Sequence, residues 1–278
     1  MSKTKIVFVP AGGLGNRLKA IASALAMARQ CGGEVQAYWF KDQGLSARFD
    51  ELFEPLHLPA LTVRDASLFD TLCYDRPRLH NLYIPRLPQQ LLFADRMEEA
   101  ACTEGMRTHF DFARWAQDRK VWLASHVYFM AEEVPADSMA IFKVLPHLQQ
   151  RIEERKQQLG EEAIGVHIRR TDNARSIAES PTEAFIRRMQ QAPATTRFYV
   201  ATDDEREKER LCKAFSHRVV VSPTVANRHT REGIEEAVVE LFTLAGTRCI
   251  LGSACSTFSD MAANIGHIPL EIIKKDPS

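Results

Sequence analysis

Residues 163–172 read AIGVHIRRTD. An apolar run ends there in a histidine, two adjacent arginines, a threonine and an aspartate. A short continuous apolar run fits a strand buried on both faces, as a parallel sheet requires. Guanidinium groups are cheap on a surface. At the mouth of a buried strand they ordinarily hold an anion, because their planar fork matches phosphate and carboxylate geometry. One stretch thus poses two questions, which sheet it belongs to and what the arginines hold.

The chain downstream answers the first. Strands are expected at 163–168, 197–201, 218–222, 248–252 and 269–273, with helices near 181–191, 204–215, 231–245 and 256–265. The run SPTE at 180–183 reads as a capping box with proline at the first helical position. Five strands alternating with four helices predict a doubly wound parallel sheet, in which ligands bind beyond the carboxyl ends of the strands. Polar segments follow three of these strands: RRTD at 169–172, TDD at 202–204 and GSACSTFS at 252–259.

Upstream, IVFV at 6–9 precedes a glycine-rich turn, after which Leu18, Ile21, Ala22, Leu25 and Ala28 recur at helical spacing. Gly32 and Gly33 stop that helix, and 35–40 reads as a second strand. Residues 42–120 hold five of the thirteen prolines and give no trace beyond irregular segments and short helices. A strand is expected over 121–128. Pro146 opens a charged helix that ends at Gly160 and reads as a bridge between lobes. The predicted class is α/β, in two lobes, 1–145 and 146–278.

Bulk properties narrow the partners. The chain has 278 residues, 45% of them apolar, and 36 basic residues balance 36 acidic ones. Without a single-sign run, an extended polyanion such as a nucleic acid is not the expected partner. The six cysteines, at 31, 73, 102, 212, 249 and 255, form no CxxC and no zinc-ribbon spacing. They read as free thiols in a reducing compartment. With no 18-residue apolar run and too short an apolar stretch at the start for a signal peptide, the expectation is a cytoplasmic protein without a transmembrane segment. Attachment to a membrane surface stays open.

Five motifs carry candidate chemistry. AGGLGNRL at 11–18 places Gly13, Gly15, Asn16 and Arg17 at a helix entrance, where free N–H groups favour anions. A dinucleotide fingerprint would need glycine at Leu18 and an acid after the second strand, and a P-loop would need GK[ST]. A plain tight turn is the other reading. In HIRRTD, Arg169 or Arg170 can grip a diphosphate and offset charge on a leaving phosphate. Alternatively, the arginines pair with Asp172, and His167 is an ordinary core residue. In ATDD, Thr202 or Asp203 suits an N-cap, and no DxD, HExxH or EF-hand pattern accompanies Asp203 and Asp204. Ser256, Thr257, Phe258 and Ser259 offer hydroxyl and backbone donors at a helix start, as phosphate ligands or as caps. On the helix at 231–245, Glu240 lies beside the core face of Ile234, Val238, Leu241 and Ala245, unlike Glu235 and Glu236. It is either an acceptor for a base edge or a solvated glutamate.

The order of these motifs (GGLGN, HxRRTD, ATDD, an acidic helix, [ST]-x-F-S) resembles the GDP-fucose-dependent fucosyltransferases, including the bacterial nodulation, core α1,6 and protein O-fucosyltransferases. The resemblance covers 163–265 and 11–17. It implies a GT-B-like fold of two Rossmann-type lobes with a cleft between them, an inverting mechanism, no metal or other cofactor, and GDP bound mainly to the C-terminal lobe. It implies that Arg169 grips the diphosphate and that His167 contacts the nucleotide. Asp203 and Asp204 would lie in a loop needed for activity. Glu240 would read guanine in place of a shorter aspartate, and 256–259 would be the phosphate loop. Gly15 and Asn16 would face the donor. The run NARSI after Asp172 lacks the lysine and glutamate of the core enzymes. Asp172 is then the nearest candidate base, on a par with a carboxylate from 42–120. A transferase of another GDP-sugar and a GDP-binding module without turnover are the alternatives. The acceptor is a glycan or other hydroxyl compound.

Overall fold

The computed structural model describes residues 3–77, 83–171 and 173–275. It divides into two compact units, Met1–Lys143 and Val144–Ser278.

The first unit is built on a six-stranded sheet. In chain order its elements are β1 (Lys5–Pro10), α1 (Leu14–Gln30), β2 (Glu34–Trp39), β3 (His57–Leu58), β4 (Leu61–Asp65), α2 (Leu68–Cys73), α3 (Arg86–Leu92), β5 (Asp95–Met97), α4 (Glu99–Arg107), α5 (Phe112–Ala116) and β6 (Lys120–Ser125). The strand order is β3-β4-β2-β1-β6-β5. Every pair is parallel except the short β3–β4 hairpin. The run IVFV becomes the central strand β1, and Phe8 and Val9 are wholly buried. The expected strand at 121–128 stops at Ser125, so His126 and Tyr128 lie in the loop beyond the sheet.

The stretch from 42 to 120 is ordered by tertiary contacts. Trp39 stacks edge-on against Phe49, Phe49 meets Phe53, and Phe53 meets Phe142. The Trp39 indole N–H donates to Ala47 O at 2.9 Å. The strands there run two to five residues and the helices five to nine. Few of these are long enough for hydrophobic periodicity to declare itself.

The second unit holds α6 (Pro146–Leu159), β7 (Ile164–Ile168), α7 (Ala174–Glu179), α8 (Thr182–Gln190), β8 (Phe198–Thr202), α9 (Glu205–Phe215), β9 (Val219–Val221), α10 (Arg231–Ala245), β10 (Cys249–Ser253), α11 (Thr257–Gly266) and β11 (Leu270–Ile273). Its sheet is wholly parallel, in the order β11-β10-β7-β8-β9. Ile164, Val166 and Ile168 of β7 pack with Phe185, Met189, Phe198 and Leu211 in one core cluster. Each large apolar side chain buried this way contributes about 1.5–3 kcal/mol.

Three expectations are corrected here. The charged helix α6 is no bridge: it packs against α10 within the second unit, burying Leu148, Ile152, Arg155 and Leu159. The capping box at 180–183 does not form. The Ser180 hydroxyl donates to Ile273 O at 2.5 Å and accepts the Ala254 N–H at 2.8 Å, and the N-cap of α8 is Pro181 without a side-chain bond. Ser180 is thereby a buried tie between β11 and the loop after β10. The third is α7, a helix the sequence reading left out, which starts where the Asn173 side chain accepts the Ser176 N–H at 3.0 Å.

Candidate functional site

The order of strands in the second sheet identifies where a ligand would sit. The chain starts at β7, adds β8 and β9 on one side, then returns to add β10 and β11 on the other. The reversal falls between β7 and β10, and such a switch point opens a crevice at the carboxyl ends of the two strands. Register places His167 opposite Gly252 on one side and opposite Ala201 on the other. The segments that follow β7, β8 and β10 therefore converge.

Ser253 fastens the crevice. Its hydroxyl donates to His167 O at 3.3 Å and accepts the Arg169 N–H at 3.1 Å. Nothing in the sequence reading distinguished Ser253 from its neighbours. Gly252 is required beside it: a Cβ there would stand 2.8 Å from Leu270 and 2.9 Å from Ser259. Cys255 adopts the left-handed conformation at φ 55°, and its carbonyl accepts from Asn173 Nδ2 at 2.9 Å. A non-glycine residue held there costs on the order of 1 kcal/mol, so the loop's shape is imposed by its surroundings.

The two arginines have different partners. The Arg169 side chain is 25% exposed, and its Nε lies 3.1 Å from Asp203 Oδ2. Arg170 turns inward. It donates to Arg169 O at 2.8 Å, Ser180 O at 2.9 Å and Thr182 Oγ1 at 2.8 Å, with Glu207 at 3.8 Å. Arg170 thus braces the loop, and its expected place among donor ligands gives way to that role. Asp172 falls outside the described residues.

Neither acid of ATDD is open to the crevice as a bare carboxylate. Asp203 accepts the N–H of Arg170 at 2.7 Å, the Thr171 hydroxyl at 2.6 Å and the Thr171 N–H at 3.3 Å. It shapes the loop after β7 and orients Arg169. Asp204, rather than Thr202 or Asp203, is the N-cap of α9, accepting from Arg206 N at 2.7 Å and Glu207 N at 3.2 Å.

His167 is 5% exposed. Burial, reinforced by the neighbouring Arg169 charge, holds its imidazole down at about 4, so it is neutral near pH 7. Its ring packs on Phe258 with centroids 4.8 Å apart, and its Nδ1 lies 3.4 Å from Ser256 Oγ. Ser256 occupies the N-cap of α11 but makes no side-chain cap bond, so its hydroxyl does not close the helix N-terminus. Ser259 donates to Ser256 O at 3.2 Å. The expectation that Ser256 or Ser259 caps α11 is therefore not met. The helix entrance stands beside Gly252 and His167.

Glu240 is not a solvated helix glutamate. It is 2% exposed, and Glu236, expected to face away, is as deeply buried. The two carboxyls belong to a polar cluster. Arg155 reaches Glu236 at 2.6 Å and Tyr199 Oη at 3.2 Å. Tyr199 Oη meets Ser222 Oγ at 3.0 Å, and Lys208 donates to Ser222 O at 3.0 Å. Burial, then the charge of Glu236, pushes the Glu240 carboxyl up to about 8 against the pull of Ser222, Arg155 and Lys208. Among the described residues its Oε1 is buried without a hydrogen-bond partner.

In the first unit the glycine loop also lies at a switch point, between β1 and β6. Gly12 has φ 79°, and a Cβ there would press on Asn16 at 3.0 Å. Gly13 precedes α1 with open space where a Cβ would sit, and Gly15 and Asn16 lie in its first turn. Arg17 does not present a cation at the entrance. It is wholly buried, donating to Gly12 O at 2.9 Å, Phe40 O at 2.6 Å and Asp42 Oδ1 at 2.8 Å, with Trp39 beneath the guanidinium. Burial opposes ionisation of Asp42, but Arg17 and Arg76 prevail and keep its carboxyl below the usual value. Beside the loop, His126 places Nδ1 3.2 Å from Glu99 Oε2. This pair was not read from sequence; its one signal was a histidine just past an apolar strand.

No family model and no curated protein matches the chain. Solved structures do. The fucosyltransferase NodZ from Bradyrhizobium superposes with a TM-score of 0.66 at 18% identity, over 94% of this chain and 93% of that one. A NodZ α-1,6-fucosyltransferase crystal soaked with GDP-fucose gives 0.67 at 16%, over 95% and 93%. A mutant of Arabidopsis thaliana FUT1 in complex with GDP gives 0.61 at 15%, over 97% and 70%, and apo POFUT1 gives 0.60 at 11%, over 98% of each chain. The likeness spans both units and establishes a GT-B-like fold with Rossmann-like lobes.

Proposed function

We propose that the chain is a glycosyltransferase that moves fucose from GDP-fucose to a hydroxyl acceptor, with inversion and without a metal. The observation that carries this reading is the β7–β10 crevice. Arg169, the N-terminus of α11, whose Ser256 hydroxyl makes no cap bond, and a neutral His167 meet there, in a fold like that of NodZ soaked with GDP-fucose.

Breaking the sugar–phosphate bond leaves negative charge on the β-phosphate. A guanidinium fixed by Asp203 and the N–H groups of a helix start are prearranged donors for that charge, and need no reorientation during reaction. Neutral His167 adds no competing charge and supports Ser256 and Phe258 from below. Thr257, exposed on the same turn, supplies a further donor, while the Ser259 hydroxyl is buried and donates to Ser256 O. The orphan Oε1 of Glu240 is the acceptor assigned to the guanine N–H groups. Such an acceptor is strongest as a carboxylate, so nucleotide binding draws a proton off Glu240. The acceptor hydroxyl requires a base on the face opposite the leaving diphosphate, and Asp172 holds that role in this reading.

Arg169→Ala tests it. Turnover of GDP-fucose, followed by GDP release, falls by about 100- to 1000-fold while the melting temperature is kept, as for loss of one transition-state donor. Full binding of GDP with no transfer or hydrolysis by the wild-type chain on any acceptor would replace the proposal with a GDP-binding module.

A further inference from the structure

The buried cluster around Glu240 has a fixed direction of hydrogen bonding. Arg155 comes from α6, Tyr199 from β8, Ser222 follows β9, and Glu236 and Glu240 come from α10. Each of these residues is more than nine-tenths buried. At that depth every donor and acceptor has to be met within the protein or by a ligand.

Only one direction of donation satisfies the chain of groups. A guanidinium has donors alone, and Arg155 Nη1 donates to Tyr199 Oη at 3.2 Å. The single proton of the tyrosine then goes to Ser222 Oγ, 3.0 Å away. Were Ser222 the donor, the buried phenol proton would meet no acceptor among the described residues. Ser222 therefore passes its own proton on, and its side chain hydrogen-bonds to the Glu240 carboxyl. Lys208 of α9 fixes the Ser222 backbone, donating to its carbonyl at 3.0 Å.

A proton donated to Glu240 favours its carboxylate over its acid form. Of the charges facing Glu240, Arg155 and Lys208 act the same way, and Glu236 on the same helix opposes them. Glu236 is itself held by Arg155 at 2.6 Å and by Arg151 at 2.5 Å. A carboxylate only accepts, whereas a carboxylic acid also donates. Guanine presents two donors on one edge, its N1–H and its amino group; adenine presents an acceptor at N1. The orphan Oε1 of Glu240 is where that difference is read. We propose that Arg155 and Tyr199 are positioning residues for base selection: through Ser222 they hold Glu240 as an acceptor, and so favour guanine over adenine. The inference rests on the base-reading role proposed for Glu240.

Tyr199→Phe tests it, because it removes the phenol oxygen and keeps the ring. Titration of the full chain with GDP and with ADP at about pH 7 should show the GDP-to-ADP affinity ratio falling by about tenfold or more, as for loss of a hydrogen bond to a charged group. Loss of fit alone would weaken both nucleotides alike and leave the ratio unchanged. A second readout needs no nucleotide. Without the Ser222 link Glu240 keeps its proton to higher pH, so the variant goes on losing stability above the wild-type titration. The melting-temperature gap between the two proteins is level at about pH 6 and widens above about pH 8. Ser222→Ala, which removes the last link, reproduces both changes. A level gap, or an unchanged ratio, in both variants would overturn the inference. Absence of GDP binding by the wild-type chain would overturn it by a different route, through the base-reading role on which it rests.

Discussion

Replacing Glu240 by Gln should change how stability depends on pH, in a direction the buried cluster dictates. The folded carboxyl titrates at about 8, well above the ordinary glutamate value of 4.5. It is therefore protonated in the fold and ionised in the unfolded chain between those limits. The unfolded state binds fewer protons there, so stability falls as pH rises through the window and levels off above the folded value. One proton is worth about 1.4 kcal/mol per pH unit, so between about pH 5 and pH 7 this group alone withdraws up to about 3 kcal/mol. Glutamine cannot ionise and nearly matches the shape. The variant should melt within about 2 °C of wild type near pH 5 and about 5–10 °C higher near pH 7. Scanning calorimetry on both proteins across that range reads the difference, in which the other titrating groups cancel. Parallel curves would show that Glu240 is ionised inside the Arg155–Lys208–Ser222 cluster, and the argument from burial would fail.

Other consequences follow from the same geometry. Binding of GDP at about pH 7 should release close to one proton, seen as a buffer-dependent heat in titration calorimetry, and Glu240→Gln should abolish that release. His167→Gln should flatten the acid limb of stability. The histidine is held neutral to about 4, and the unfolded chain takes up its proton near 6.5, so wild-type stability is lost as pH falls through that window. Arg170→Ala should lower stability by about 2–4 kcal/mol, the cost of three bonds to Arg169 O, Ser180 O and Thr182 Oγ1, read by denaturant melts.

The second sheet was legible because each of its elements states itself locally. IGVHI and FYVAT are continuous apolar runs, α9 has a clear face, and polar residues follow the strands. The stretch from 42 to 120 was not legible because its order comes from afar. Trp39 and Phe142 bracket Phe49 and Phe53 from distant points of the chain, and β5 has only three residues. In the site, residue types were readable but allegiances were not. Arg169 and Arg170 differ only in which way the backbone turns after β7, and Asp203 decides that turn from the loop after β8. Arg17 looked like a cation at a loop mouth, and Asp42, 25 residues on, draws it inside. Ser180 carried a helix-start signature and serves β11 instead.

The central claim is that the β7–β10 crevice binds a guanosine diphosphate sugar. Thermal shift of the purified chain across GDP, GDP-fucose, UDP, ADP and NAD tests it most directly. The account predicts clear stabilisation by GDP and GDP-fucose, abolished or strongly reduced in Arg169→Ala, and none by the other three. Stabilisation by UDP, ADP or NAD in place of GDP would contradict it.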